Sequence, residues 1–499
     1  MPSVARMEHA RELTGRVVAH DRLHLAAEVA KRVRLELGVL EHTAPERPGV
    51  RNDDPDLHRA HYRRRAVRLR SPHDREILRL AVPALGALAA EPLYVLADTA
   101  IVGHLGRPQL AALGLAGIVL SGAFTIFNFL TYGTTAVVAR ASGAGEHERA
   151  ARLAAQALWV SLGIGIALLV VCEALAGPLL RALGAHGRSG HFALVYFRLA
   201  AIGLPAALIA LAGQGYLRGI SSMRRPFAIV LASNAVNVVL ELLFVYGFHW
   251  GIAGSAAGTA IAQAGMGIAF TVELMRPHAV SKRPSLAAMR PMLRVGRQIF
   301  VRTTALYASF LVAASVCARI GDAQLGAHQI ALELFFFLAL VLDAVAIAGQ
   351  VIVGRMLGAG DADGAYAAAV RMIGWSVALG GLFAVVLLPL AHVVPRAFSD
   401  DHAVLHQAVL LWPLFALIQP LGGAVFALDG ILIGAGDTRY LMWSMLAASA
   451  VFIALAALGY ERGWGIVGVW AALDVLIGAR LTLLAIRFAG RRWAVIGWG

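Results

Sequence analysis

Two carboxylates, Glu91 and Asp98, lie in one apolar stretch, residues 77–103, and Pro92 directly follows the first of them. Their separation of seven residues places both acids on one helical face, two turns apart. The proline removes a backbone hydrogen bond and so leaves a carbonyl oxygen free beside Glu91. Acids and a free carbonyl in an apolar stretch suit a site for H⁺ or Na⁺. The alternative is that Asp98 lies at the end of the stretch, in water or paired with an arginine.

A second polar stripe consists of Asn234, Asn237 and Glu241, spaced i, i+3 and i+7 in another apolar run. Such a stripe cannot face lipid, since a carboxylate in hydrocarbon costs at least about 2.5–3.5 kcal/mol. We expect it to face the bundle interior, where amide oxygens and a carboxylate could share a cation or a proton with Asp98. Asparagines also join membrane helices by ordinary hydrogen bonds, but the added acid favours the ion site.

Further polar residues lie in apolar runs of the second half of the chain. Gln329, Asp343 and Gln350 fall near one helical face, whereas Glu333 points elsewhere. Asp429 occupies the position that corresponds to Gln214 in the first half. Together with Asn234, they are candidates for substrate contacts or for a second polar site; the alternative is a structural hydrogen-bonding role.

The elements that carry these residues are membrane helices. Hydrophobic residues make up 59% of the chain and charged residues 15%, with a mean hydropathy of +0.70, far from the averages of soluble proteins. Runs near the roughly 20 residues that span a bilayer recur along the chain. They predict twelve transmembrane helices: 77–103, 111–140, 152–176, 193–217, 226–248, 252–275, 296–318, 325–353, 367–394, 405–428, 438–460 and 465–488.

The two halves of the chain are copies of one unit. Arg140 and the triplet Gly143-Ala144-Gly145 recur 215 residues later as Arg355 and Gly358-Ala359-Gly360. Each copy holds six predicted helices, an even number, so both copies start on the same side of the membrane. We therefore predict an all-α membrane protein with two parallel six-helix repeats, as in secondary transporters whose substrate path lies between related halves.

The predicted division of the chain has five parts. A polar, basic extension occupies residues 1–76 and is interpreted as a disordered tail or as residues upstream of the true start. The N-lobe covers 77–275, a cytoplasmic inter-lobe loop 276–294, the C-lobe 295–488, and a cytoplasmic tail 489–499. The connections after even-numbered helices carry most of the arginines, which places both termini in the cytoplasm.

Several function classes are disfavoured. The net charge of +14 is accounted for by topology and by the N-terminal extension, so no nucleic-acid partner is expected. Cys172 and Cys317 lie inside predicted helices, which indicates neither a disulfide framework nor a cysteine metal site. The spans contain no His-Glu-x-x-His or serine–histidine grouping, and the chain has no Walker motif. We expect neither an enzyme nor a bound cofactor.

Several motifs in the right order resemble the multidrug and toxic compound extrusion (MATE) transporters, specifically their bacterial DinF-like branch. The first-helix motif is ADTAIVGHLG, residues 97–106, and the tenth-helix motif is LDGILIGAGD, residues 428–437. Others are Tyr132-Gly133-Thr134-Thr135-Ala136, Leu217-Arg218-Gly219, Arg302-Thr303 and Ala327-His328-Gln329. The resemblance covers residues 77–488.

The resemblance implies a MATE-like architecture of the MOP superfamily and a cation-coupled multidrug antiporter in the bacterial plasma (cell inner) membrane. It assigns cation coupling to Asp98, to Asn237 with Glu241, and to Thr259 in the motif GSAAGT, and Glu91 joins them from the residue pattern. The family has Asp at position 241, so Glu241 is a departure that leaves H⁺ or Na⁺ open, with Na⁺ ligation at Asp98, Asn237 and Glu241.

The expected partners are small organic substrates, cationic or amphipathic, together with membrane lipid, and the protein is expected to be a monomer. A flippase for a lipid-linked saccharide is the alternative, because it shares the wider superfamily architecture. It would require a cavity lined with arginines for pyrophosphate, yet apart from Arg198 and Arg302 few arginines are expected inside spans. A membrane receptor or scaffold without transport is a further alternative class.

Overall fold

The computed structural model describes residues 71–276 and 281–497, and the described chain is helical. The predicted extension 1–76 thus lies almost wholly outside the described residues. The α-helices are α1 Pro72–Gly103, α2 Arg107–Phe127, α3 Phe129–Gly143, α4 His147–Ala182, α5 Gly187–Ala201, α6 Leu204–Gly219, α7 Arg224–Leu242, α8 Ile252–Met275, α9 Leu286–Ile320, α10 Asp322–Gly358, α11 Ala362–Leu387, α12 His402–Gly434, α13 Thr438–Glu461 and α14 Gly465–Ala489.

The predicted spans correspond to these helices in order. Among the described residues, eleven helices are long and apolar enough to cross a membrane, with α2 and α3 counted as one. The pair α5 and α6, bent by 49°, makes a twelfth span if it crosses as one broken helix. The predicted all-α fold class is therefore confirmed. Helix α9 begins at Leu286, inside the region expected to be the inter-lobe loop.

Helix α1 contains Glu91 and Asp98, and it remains helical through both of its prolines, Pro83 and Pro92. Its start is fixed by a capping box, in which the Ser71 side chain accepts from the backbone and Asp74 bonds back to the backbone of Ser71. At its other end, Tyr246 donates to the carbonyl oxygen of Ile101 over 2.8 Å. Helix α1 is thus held at both ends.

Helix α7 continues into a π-helical turn, Leu243–Gly247, which begins two residues after Glu241. Such turns are wider than α-helix and frequently occur at functional sites. This one carries Tyr246, the residue that contacts α1. The π-helical turn therefore holds this end of α7 against α1, five residues after Glu241.

The two halves meet in a symmetric crossing of α3 and α10. A side-chain carbon on Gly143 would overlap the backbone carbonyl of Arg355, and one on Gly358 would overlap that of Arg140. These four residues are repeat partners, 215 positions apart. The close approach requires glycine at both places, and it agrees with the predicted parallel two-fold relation.

Polar contacts close the same end of the bundle between the halves. Glu76 accepts from Arg355 at 2.5 Å, and Asp74 accepts from Arg371 at 2.6 Å and from the indole of Trp375 at 2.9 Å. Arg140 donates to the carbonyl oxygens of Ala435 and Gly497, both at 2.6 Å. The segment after α14, expected to be a tail, therefore packs on the bundle.

Candidate ion-coupling and substrate sites

Asp98 lies in the interior of the first half, where three helices meet. Its side chain is buried and accepts two hydrogen bonds, from the Ser255 hydroxyl of α8 at 2.7 Å and from the Tyr196 hydroxyl of α5 at 3.1 Å. No arginine or lysine is paired with Asp98 in the described ranges. The alternative of an arginine-paired or solvated Asp98 therefore does not hold.

Glu241 of α7 lies beside Asp98. Its side chain is fully buried, accepts from Thr259 at 3.3 Å, and lies close enough to the carboxyl of Asp98 to share a proton with it. Thr259 in turn shares a 3.0 Å hydrogen bond with the Tyr94 hydroxyl, which also contacts Asn237. The structure therefore brings together Asp98, Asn237, Glu241 and Thr259.

This acid pair has unsatisfied polar atoms. Within the described part of the chain, Oε2 of Glu241 and Oδ1 of Asn237 are buried without a hydrogen-bond donor. Two ionised carboxylates in contact repel each other, and burial adds a solvation cost of several kcal/mol per ion. A proton shared between the carboxyl groups, or a cation bound by these oxygens, would remove both penalties. In the described ranges, no group of three or more His, Cys, Asp or Glu side chains is arranged to hold a metal ion.

Asp98 lines a cavity of about 410 Å³, the first cavity, which Glu91 and Asn234 also line. Glu91 is exposed to this cavity, whereas the Asn234 amide donates to the carbonyl oxygen of Ala90 at 3.0 Å, beside Pro92. Asn234 therefore joins α7 to α1 at the proline. The lining residues in the described ranges include acids, amides and apolar side chains such as Phe124, but no Lys, Arg or His.

A second cavity, of about 320 Å³, lies in the other half and is lined by Asp343, Gln350 and Asp429. The predicted set for the second polar site is thus brought together, with two exceptions. Asn234 belongs to the first cavity. Gln329 is exposed, donates to Glu333 at 2.8 Å, and does not line the second cavity.

The second cavity contains bases as well as acids. One oxygen of Asp429, Oδ2, accepts from both Arg302 of α9 and Arg480 of α14, the latter at 2.6 Å. Asp343 accepts from the Tyr132 hydroxyl at 3.0 Å, and Gln350 donates to the backbone carbonyl of Tyr132 at 2.6 Å. Because Tyr132 belongs to α3, these bonds also join the two halves.

Sequence reasoning missed several of these residues. It named Arg198 and Arg302 among the arginines inside spans and overlooked Arg480. The signal was an arginine in the middle of the predicted span 465–488, and the structure shows that its side chain is buried. Arg198 itself is half exposed and pairs with Glu173 at 3.5 Å. Tyr94 and Ser255 were also missed, although each lies four residues before a predicted site residue, one helical turn away, at Asp98 and Thr259.

One family profile and several known proteins are similar to this chain. The MatE family profile matches residues 83–243 and 299–458. Protein DETOXIFICATION 44 of Arabidopsis thaliana is 31% identical over 440 residues, covering 83% of this chain and 82% of the relative. DNA damage-inducible protein F of Escherichia coli is 29% identical, covering 83% and 92%. Multidrug resistance protein PmpM of Pseudomonas aeruginosa is 27% identical, covering 85% and 93%.

Solved structures share the fold. A MATE transporter in the bent conformation matches with a TM-score of 0.78 at 20% identity, over 85% of this chain and 96% of the other. A MOP superfamily transporter from Pyrococcus furiosus matches with a TM-score of 0.76, also at 20% identity, over the same shares. The family profile covers more than half of the chain, in both repeats. This multi-pass membrane protein, a transporter and not an enzyme, therefore belongs to the MATE family.

Proposed function

We propose that the protein is a proton-coupled antiporter that exports organic compounds by alternating access. The observation that carries this proposal is the buried pair of Asp98 and Glu241, whose carboxyl groups contact each other with no basic partner in the described ranges. A hydrogen bond between two carboxyl groups needs one proton, whereas Na⁺ would have to separate them. This favours H⁺ over Na⁺ as the coupling ion.

The proposed cycle alternates between proton and substrate at the first cavity. A proton arriving from outside binds the pair, neutralises one charge and releases a cationic or amphipathic substrate. In the inward-facing state the proton leaves to the cytoplasm, and the restored negative charge attracts the next substrate. Inward movement of one charge supplies about 2.3 kcal/mol per 100 mV, enough for roughly 50-fold accumulation of a neutral substrate.

The closed crossing of α3 and α10 supports alternating access between the two halves. Gly143 and Gly358 allow the helices to meet at one end, where Glu76–Arg355 and Asp74–Arg371 pairs also lie. We infer from the arginine distribution that this end faces the cytoplasm of a bacterial plasma membrane. The transporter would then be outward-facing here, and it would work as a monomer, because one chain holds both halves.

The alternative function, a flippase for a lipid-linked saccharide, has less support. Pyrophosphate recognition requires bases that are free to bind it, and the first cavity is lined by acids. The two arginines of the second cavity already share the carboxylate of Asp429. These two arginines are matched by two acids of the same lining, Asp343 and Asp429, so neither cavity offers the excess of bases that a pyrophosphate requires.

The deciding experiment is efflux of ethidium from proteoliposomes with an imposed pH gradient or an imposed Na⁺ gradient. We expect efflux with the pH gradient and its loss in Asp98→Asn. Glu173→Gln is the matched control, because Glu173 is a partly exposed acid of α4 that lines neither cavity and is paired with Arg198. Efflux driven by Na⁺ alone would overturn the choice of ion, and undiminished efflux in Asp98→Asn would overturn the assignment of the site.

A further inference from the structure

The lining of the second cavity carries two arginines and two acids, and a third arginine outside the lining, Arg218, lies near one of these acids. Arg302 and Arg480 converge on a single oxygen of Asp429, and Arg218 lies near Asp343, close enough for electrostatic interaction. Three guanidinium groups thus face two carboxylates. Arg218, Arg480 and Asp429 are each less than 10% exposed, so solvent compensates little of the difference. One positive charge remains in an apolar bundle, where an unpaired ion is costly.

Both arginines that bind Asp429 retain hydrogen-bonding capacity. A guanidinium carries five N–H donors and suits planar carboxylate partners. In the described chain, Arg302 and Arg480 each donate to Asp429 through one terminal nitrogen, and Nε of Arg302 has no acceptor. Both side chains line the cavity. A salt bridge that served only the fold would need one arginine for one carboxylate.

An aromatic cluster lines the same cavity. Phe310 and Phe336 are in edge-to-face contact at 5.5 Å, Tyr307 stacks on Phe336 at 6.5 Å, and Phe335 lies 6.0 Å from Phe310. Aromatic rings bury large apolar area and pair with flat apolar ligands. The volume of about 320 Å³ falls within the range of roughly 300–1,000 Å³ for sites of small organic ligands.

We propose that the second cavity binds the anionic group of an organic molecule with an aromatic body. Arg302 and Arg480 bind a carboxylate or sulfonate, and the cluster of Tyr307, Phe310, Phe335 and Phe336 contacts the ring. The inference extends the proposed export function, since it defines a substrate class for the half that does not hold the acid pair. An anionic lipid offers the same chemistry, a negative group on an apolar body, and the test distinguishes the two sources.

The test measures equilibrium binding of 2-naphthoate to the full-length protein in phosphatidylcholine nanodiscs, by its fluorescence. The matched probes 2-naphthylmethanol and 2-naphthylmethylammonium keep the ring and change the charge. We expect saturable binding of the carboxylate, at least tenfold tighter than that of either matched probe. Equal affinity for the three probes would overturn the proposal.

Two substitutions have opposite expected effects. Arg302→Gln leaves a neutral pair of Arg480 and Asp429, so the fold should persist while naphthoate binding weakens tenfold or more. Asp429→Asn releases both arginines from their carboxylate and should tighten binding severalfold. Arg198→Gln, at an exposed arginine outside both cavities, is the control. Unchanged affinity in both Arg302→Gln and Asp429→Asn would overturn the proposal.

Adding phosphatidylglycerol to the nanodiscs identifies the source of the anion. Competition with naphthoate that is lost in Arg302→Gln assigns the site to a lipid headgroup; no competition assigns it to a soluble organic anion. Binding at equilibrium needs no gradient. If proton-driven efflux fails but naphthoate still binds in a way that depends on Arg302, the proposed coupling is overturned and the proposed anion site is supported.

Discussion

The buried acids at the two cavities differ in how their charge is compensated. Beside the first, Asp98 and Glu241 contact each other without a basic partner in the described residues, so a proton or a bound cation would compensate them. In the second, Asp429 is compensated by two fixed arginines. The first arrangement changes charge whenever the ion leaves, whereas the second keeps its charge. We therefore propose that coupling belongs to the first half and that the second half is suited to recognition of a ligand by fixed charges.

The difference is notable because the halves are repeats. At an offset of 215 residues, Asp98 corresponds to Ala313, Arg302 to Ala87, and Asp429 to Gln214. Each of these charged residues thus has an uncharged repeat partner. The duplicated fold forms two similar cavities, and substitutions at single positions give the two cavities different charges.

The largest difference between the two cavities is expected from substitutions at Glu241, the second acid of the buried pair. Glu241→Gln keeps a hydrogen-bonding side chain but removes one titratable group, and we expect a loss of proton-driven efflux of 100-fold or more. Glu241→Asp keeps the acid on a shorter side chain and should retain part of the activity. Lumenal pH, followed with an entrapped dye during ethidium efflux, measures both. Normal proton movement in Glu241→Gln would show that Asp98 suffices alone.

Asp429 tests whether the charge of the second cavity is fixed. Asp429→Asn leaves Arg302 and Arg480 without a carboxylate, which should lower the free energy of unfolding by about 3–5 kcal/mol. The double variant with Arg302→Gln should recover part of that loss. Thermal unfolding in detergent gives the comparison. A stability equal to that of wild type in Asp429→Asn would mean that the pairs contribute little.

Asp474 of α14 is a fourth buried acid, and it contacts neither a second acid nor an arginine in the described residues. Both of its carboxylate oxygens are without a hydrogen-bond donor in the described residues. Asp474→Leu should therefore raise the free energy of unfolding, by about 1–3 kcal/mol. The measurement is thermal unfolding alongside efflux. Lost efflux at unchanged stability would instead mark Asp474 as a functional acid.

Glu91 should give the smallest effect, because it is exposed to the first cavity and is not bonded to the acid pair. Glu91→Gln should raise the KM for a cationic substrate a few-fold and leave its maximal rate unchanged. Initial efflux rates across a range of ethidium concentrations separate the two parameters. A fall in maximal rate would place Glu91 in the coupling step.

The fold was predictable because each membrane span is visible in the sequence as its own apolar run. The helical spacing of Asn234, Asn237 and Glu241 was enough to place Glu241 on the inner face of α7. What the sequence could not supply is the pairing between helices. The contacts of Tyr196 with Asp98, and of Arg480 with Asp429, join residues 98 and 51 positions apart, and only packing determines which faces meet. The sequence also could not show that Gln329 lies outside the second cavity: near the start of α10 its side chain is exposed and bonds to Glu333, and helical periodicity does not determine exposure.

The crossing of α3 and α10 repeats one contact twice, with Gly143 against Arg355 and Gly358 against Arg140. In a homodimer this would be an isologous interface, in which the same patch on each subunit binds its copy. The internal contact therefore has the form of a subunit interface made permanent by a peptide linker. A half-length ancestor carrying only the Arg-x-x-Gly pair would already have possessed both sides of the contact that now joins the lobes.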